Sequence, residues 1–232
     1  MNTSPDSIPR RLEGVIFDID GTLARTNELI FATFNYVAEK YTGRTFAPLE
    51  IIGLFGPPEE DAMVKIVGAD RLEEALKDMY AYYAEQHPAM AALHPGIGDT
   101  LALLRERGVA LAVFTGKGRR TAGITLEALG IAKYFPVVMS GSDVVRHKPD
   151  PEGIRRILRE WSLDPAGVLM VGDAVADVRA ARAAGVRCAS VLWDSYDPEG
   201  VIAAAPDMVF RRVEEMHSWF LSACHYSDRS MT

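Results

Sequence analysis

A doubly wound α/β fold with a parallel sheet, interrupted after its first strand by a helical insertion, is predicted by three features of the sequence. Val15–Phe17, Val109–Phe114, Val168–Val171 and Val186–Leu192 are apolar runs of the kind that form strands buried on both faces. From Ile97 onward such runs alternate with helical patterns, which is the grammar of a parallel sheet covered on both sides. Between residues 26 and 92 the pattern is helical throughout.

The first strand carries the sharpest signal. It ends in two carboxylates, Asp18 and Asp20, before Gly21 and Thr22 open a loop. Residues two apart in a strand point to the same side, so both acids would meet beyond its carboxyl end. Two neighbouring anions need a cation or a shared proton, so the stretch is a site candidate. A strand running into an Asp-rich turn is the plainer alternative.

Helical spacing of Ile30, Phe34, Val37, Ala38 and Tyr41 follows from Asn27, with Gly43 as the stop. Pro48–Ile52 suggests a short helix, and Pro57-Pro58 the start of another that runs to about Val67. Asp70 is expected to cap a longer helix striped by Leu72, Leu76, Met79 and Tyr83, which Pro88 should end. Helices are then expected over Ile97–Arg107, Arg119–Leu129, Pro151–Trp161, Ala176–Ala184 and Val213–Leu221, with short strands at Val137–Met139 and Met208–Phe210. The division expected is a core of residues 1–24 and 93–232 and a helical cap of residues 25–92. Residues 1–12 read as a polar tail.

The 232 residues suffice to bury a real core, and 48% hydrophobic with 25% charged residues is ordinary for a globular chain. A net charge of -7 argues against general nucleic-acid binding, although a local pocket can still attract a small anion. No stretch approaches the ~20 apolar residues of a membrane span, and no secretory signal run is present at the amino terminus. Cys188 and Cys224 are too far apart in sequence for a metal or redox motif, so reduced thiols and a cytoplasmic setting are expected.

Four stretches in order, D18-I-D20-G-T22, Thr115-Gly116, Lys148 in H-K-P-D-P and G172-D173-A-V-A-D177, resemble the haloacid dehalogenase superfamily. The helices directly after the first motif are similar to the cap of its phosphoglycolate phosphatase and β-phosphoglucomutase branch. Taken alone, Asp173 and Asp177 could equally cap a helix. The resemblance implies Mg2+ and a small phosphorylated metabolite, with phosphoglycolate the default, and a monomer or homodimer.

These residue types suit that chemistry. Asp18 would attack phosphorus to form an aspartyl-phosphate. A carboxylate meeting a phosphate dianion ~4 Å away is repelled by ~4 kcal/mol per charge pair at an effective dielectric near 20, so fixed positive charge is needed. Asp18, Asp173 and the backbone carbonyl of Asp20 offer hard oxygens for Mg2+, and Lys148 adds a second cation. The Thr115 hydroxyl and the Gly116 amide would hold phosphate oxygens. Asp20 would protonate the leaving alcohol and then deprotonate water. Asp177 would orient a water or the lysine.

Asp20 with Asp173 argues against metal-free dehalogenation, and Lys40, Lys65 and Lys77 are poorly placed for the Schiff-base lysine of phosphonate cleavage. Phosphomutase action stays open, and so does a non-catalytic binding role on the same fold. A receiver domain is too short and has no helical insertion. Arg25, Glu28 and Phe55 are the expected substrate contacts from the cap, with hinges near Ala24–Thr26 and Ala92–Pro95. Lys117 could line the rim or face water; His87 and His94 read as solvated linker.

Overall fold

The computed structural model describes residues 12–225. Its centre is a six-stranded sheet ordered β5-β4-β1-β6-β7-β8, built from β1 (Gly14–Phe17), β4 (Ala110–Phe114), β5 (Val137–Met139), β6 (Val168–Gly172), β7 (Arg187–Val191) and β8 (Met208–Phe210). Every neighbouring pair is parallel. The expected doubly wound α/β architecture is therefore present.

Alternation along each strand explains the layers. Val15 and Phe17 of β1 join Leu111, Val113, Leu169 and Val171 in one apolar cluster. That cluster is closed by α5 (Ile97–Glu106), α6 (Arg119–Ala128) and α10 (Val213–His225). Ile16, Ala112, Phe114 and Met170 point to the opposite face. There they meet α7 (Glu152–Trp161) and α8 (Val175–Ala184). With strands buried on both faces, period-two polarity is lost and only continuous apolar runs remain.

The register sets the position of the site. Phe17 lies opposite Val113 on one side and Val171 on the other. The chain therefore leaves β1, β4 and β6 at one level, placing Asp18, Thr115 and Asp173 together. β1 is the strand at which the connections diverge to left and right, where such sheets leave a crevice.

Between β1 and β4 the chain forms α1 (Asn27–Thr42), α2 (Pro48–Ile52), α3 (Glu59–Val67) and α4 (Leu72–Met90). These helices bury their own core of Leu29, Ile30, Phe34, Val37, Ile51, Met63, Met79 and Tyr83. They are entered through β2 (Ala24–Arg25) and left through β3 (Ala92–Leu93), which pair antiparallel with Ala24 opposite Leu93. Tyr83 crosses to the sheet layer, sharing a 2.7 Å hydrogen bond with Thr125 on α6.

Several local expectations are corrected. Asp70 does not cap α4; it sits in a 3-10 turn over Ala69–Arg71, and Arg71 precedes the helix. Pro88 does not end α4 but lies inside it. It falls in the last turn, where only a short stretch of helix follows its missing N–H and Ala91 still closes on the His87 carbonyl at 3.0 Å. A helix at α9 (Pro198–Ala203) was not expected; Asp197 caps it by accepting a bond from the Gly200 amide. Most of the tail read as residues 1–12 lies outside the described residues, while Leu12 packs into the core.

Candidate active site

At the carboxyl ends of the strands a cavity of about 320 Å³ opens between the sheet layer and helices α1–α3. Asp18, Asp20, Thr115, Gly116, Lys148 and Asp173 all line it. The tight turn after β1 depends on Gly21, which has φ +70° and whose Cβ would stand 2.4 Å from Asp173 Oδ2. A side chain there would meet both a strained backbone and the acid it faces.

Lys148 Nζ lies 2.9 Å from Asp18 Oδ2 and 2.8 Å from Asp177 Oδ1, and donates to the Phe114 carbonyl at 3.3 Å. Burial works against its charge, but Asp177 and Asp18 outweigh burial and raise its pKa. Asp173 accepts a 3.0 Å bond from the Thr22 hydroxyl, and its backbone carbonyl accepts one from Ser195. Asp177 Oδ2 accepts from the Ala174 amide at the start of α8 at 3.0 Å. Burial, followed by the charge of Asp18, pushes Asp173 well above the usual carboxylate range. Burial likewise raises Asp177, although Lys148 opposes it.

Mg2+ fits this donor set. Asp18, Asp173 and Asp177 are buried and each offers an oxygen within 4.8 Å of the others. One lysine beside three carboxylates leaves a charge deficit that a hard cation relieves. Asp177 is engaged by Lys148 at 2.8 Å and by the Ala174 amide at 3.0 Å.

Of the two placements the sequence left open for Lys117, the structure takes the first: it lines the cavity rather than facing water, with its side chain 3% exposed, 3.2 Å from Asp20 Oδ1 and 3.7 Å from Glu59 Oε1. Glu59, the first residue of α3, also accepts a 2.8 Å bond from Thr121 on α6 and one from the Gly118 amide. The inserted helices therefore reach Lys117 directly. Burial raises the pKa of Asp20, opposed by Lys117 and by the hydrogen bond from Thr26. The adjacency of Lys117 to the Thr115-Gly116 pair was the available signal.

Of the expected cap contacts, Phe55 lines the cavity together with Ile30, Phe34 and Leu54. Arg25 and Glu28 do not: both are exposed outside it, and Asn27 holds the position between them. Tyr196, from the loop after β7, completes the wall and was not expected. His87 and His94 are buried, contrary to the linker reading: His87 lies in the last turn of α4 with its ring against Tyr83, and His94 packs its ring against Trp193.

A family profile described as haloacid dehalogenase-like hydrolase matches residues 15–191. The chain belongs to that family. Pyrophosphatase PpaX of Bacillus velezensis is 31% identical over 207 residues, covering 89% of this chain and 95% of the relative. A predicted phosphoglycolate phosphatase from Haemophilus somnus has the same fold, with TM-score 0.80 at 21% identity over 90% of this chain and 98% of the other. A putative β-phosphoglucomutase from Thermotoga maritima superposes with TM-score 0.72 at 27% identity, covering 90% and 99%. Among the described residues of this hydrolase, no helix is long and apolar enough to cross a membrane.

Proposed function

We propose that this phosphatase hydrolyses a small phosphomonoester with Mg2+ through an aspartyl-phosphate on Asp18, the inserted helices acting as a cap. The observation that carries the reading is Lys148 bridging Asp18 and Asp177 at the cavity floor beside Thr115. A carboxylate oxygen of Asp18 attacks phosphorus as the ester P–O bond breaks, and Asp20 gives its proton to the departing oxygen. Asp20 then takes a proton from the water that attacks the aspartyl-phosphate, and orthophosphate leaves. Lys148, the Thr115 hydroxyl and the Gly116 amide hold the phosphoryl oxygens during both transfers.

Asp18, Asp173 and the Asp20 backbone carbonyl would hold Mg2+, with Asp177 beside them. Its positive charge would offset that of the phosphoryl group when bound. A cytoplasmic setting accords with Cys188 and Cys224 being buried thiols, and a monomer or homodimer is the expected state.

The test is phosphate release from a panel of phosphorylated metabolites, with pyrophosphate added because a relative carries that name. Turnover should need Mg2+, stop with chelator, and fall at least ~10³-fold in Asp18→Asn, as loss of a covalent nucleophile does. Undiminished turnover in that variant would overturn the assignment. No turnover by the wild-type chain would favour a non-catalytic binding role.

A further inference from the structure

We infer that the phosphate ester cleaved here carries an uncharged, ring-sized and largely apolar alcohol, a specification that rests on the phosphatase reading above. The cavity is polar at its floor and apolar at its roof. Beyond the catalytic groups its wall carries Ile30, Phe34, Leu54, Phe55 and Tyr196, with Asn27, Glu59 and Lys117 as the polar side chains among them. Phe55 and Tyr196 meet with ring centroids 6.0 Å apart, and Phe31 packs against both at 6.5 and 5.9 Å. Phe55 stays 38% exposed and Tyr196 41%. Apolar ring surface left open beside a reacting centre is surface that a ligand covers with gain.

Charge excludes the alternatives. Among the described residues that line the cavity, the cations are Lys117 and Lys148. Lys148 is held by Asp18 and Asp177, while the Lys117 ammonium makes no hydrogen bond among the described residues but is outnumbered by two carboxylates, Asp20 at 3.2 Å and Glu59 at 3.7 Å. A leaving group with its own carboxylate or phosphate would enter beside Glu59 and Asp20, where two carboxylates already face the single ammonium of Lys117. At about 320 Å³ the space is also small. It lies at the lower end of the ~300–1,000 Å³ of small-molecule sites, enough for a phosphate and a ring but not for a polymeric substrate.

A neutral polar side chain also interrupts the apolar wall. Asn27 Oδ1 is buried and accepts no hydrogen bond. A buried acceptor left unpaired is costly, and a single hydroxyl or N–H on the alcohol would satisfy it. The site thus fits a neutral ring bearing one donor.

The experiment measures kcat/KM with Mg2+ for benzyl phosphate, 2-phosphoglycolate and pyrophosphate. Benzyl phosphate has an unactivated alcohol, so a preference for it reports recognition rather than leaving-group reactivity. It should exceed both anionic substrates at least tenfold, and Phe55→Arg should shift the benzyl-to-glycolate preference at least tenfold toward phosphoglycolate. Should that variant fail to fold, Tyr196→Lys on the exposed loop makes the same change. Phosphoglycolate or pyrophosphate equalling benzyl phosphate in the wild-type enzyme, or an unmoved preference in a folded variant, would overturn the inference and leave the phosphatase reading intact. Release from none of the three, nor from the wider panel, would overturn that reading and the inference with it.

Discussion

Replacing Lys117 with Met removes a buried ammonium that stands 3.2 Å from Asp20 Oδ1 and 3.7 Å from Glu59 Oε1. At an effective dielectric near ~20, opposite unit charges at these separations attract by about 5 kcal/mol each. Much of that is offset by the cost of burying the ammonium, whose side chain is 3% exposed. The variant saves that cost but strands two carboxylates beside each other. Breaking a buried pair in this way costs ~3–5 kcal/mol, and the lower end applies because Asp20 keeps 22% exposure and its bond from Thr26. For a chain of this length a loss of ~3 kcal/mol lowers Tm by about 6–12 °C. Urea or calorimetric unfolding of Lys117→Met, Asp20→Asn and the double variant closes the cycle. A coupling of ~2 kcal/mol is expected, since Asn at position 20 no longer presents the charge that Lys117 faces. The electrostatic account fails if Lys117→Met costs under ~1 kcal/mol, or if the two changes add within ~0.5 kcal/mol.

Acid should weaken the fold through His94, whose ring is pushed down from 6.5 to about 4 by burial and then by Arg25. The unfolded chain takes up the proton first, so this share of stability is complete above about pH 6.5 and is lost as pH falls toward 4. Urea unfolding at pH 7 and pH 5 should show a smaller drop for His94→Gln than for wild type; equal drops would refute it. Tyr83→Phe deletes the hydroxyl that meets Thr125 across the boundary between α4 and α6, where Tyr83 is 1% exposed. It should cost ~1–3 kcal/mol in unfolding, and a loss under ~0.3 kcal/mol would show that the bond contributes nothing net.

Strand ends and their acids were readable because two-sided burial writes itself as a continuous apolar run, and Asp18, Asp20, Thr115 and Asp173 each terminate or follow one. The sequence left Lys117 between lining the rim and facing water. Next to Arg119 and Arg120 it resembles a solvated basic stretch, and only the arrival of Glu59, 58 positions earlier in the chain, turns it inward. Arg25 and Glu28 stand outside the cavity lining for a local reason: Asn27 at the start of α1 faces it, while Arg25 in β2 and Glu28 in the first turn of α1 are exposed. Tyr196 reaches the site from a loop with no periodicity to betray it. His87 and His94 look like linker until α4 runs on past Pro88 and Trp193 arrives from the loop after β7. Position along a strand is legible in one dimension; proximity between distant loops is not.

The two-rung pairing of Ala24–Arg25 with Ala92–Leu93 has a consequence for engineering and descent. Paired strands stand ~4.8 Å apart, so the excursion of more than sixty residues leaves and re-enters the sheet layer through one narrow doorway. None of the six-stranded sheet's rungs passes through it. A segment whose ends meet at that spacing leaves the rungs of β1, β4 and β6 untouched, and what it must replace is the reach of Glu59 to Lys117 and of Tyr83 to Thr125. Exchange of the excursion would then recast what the chain accepts while the reacting groups stay where the sheet holds them.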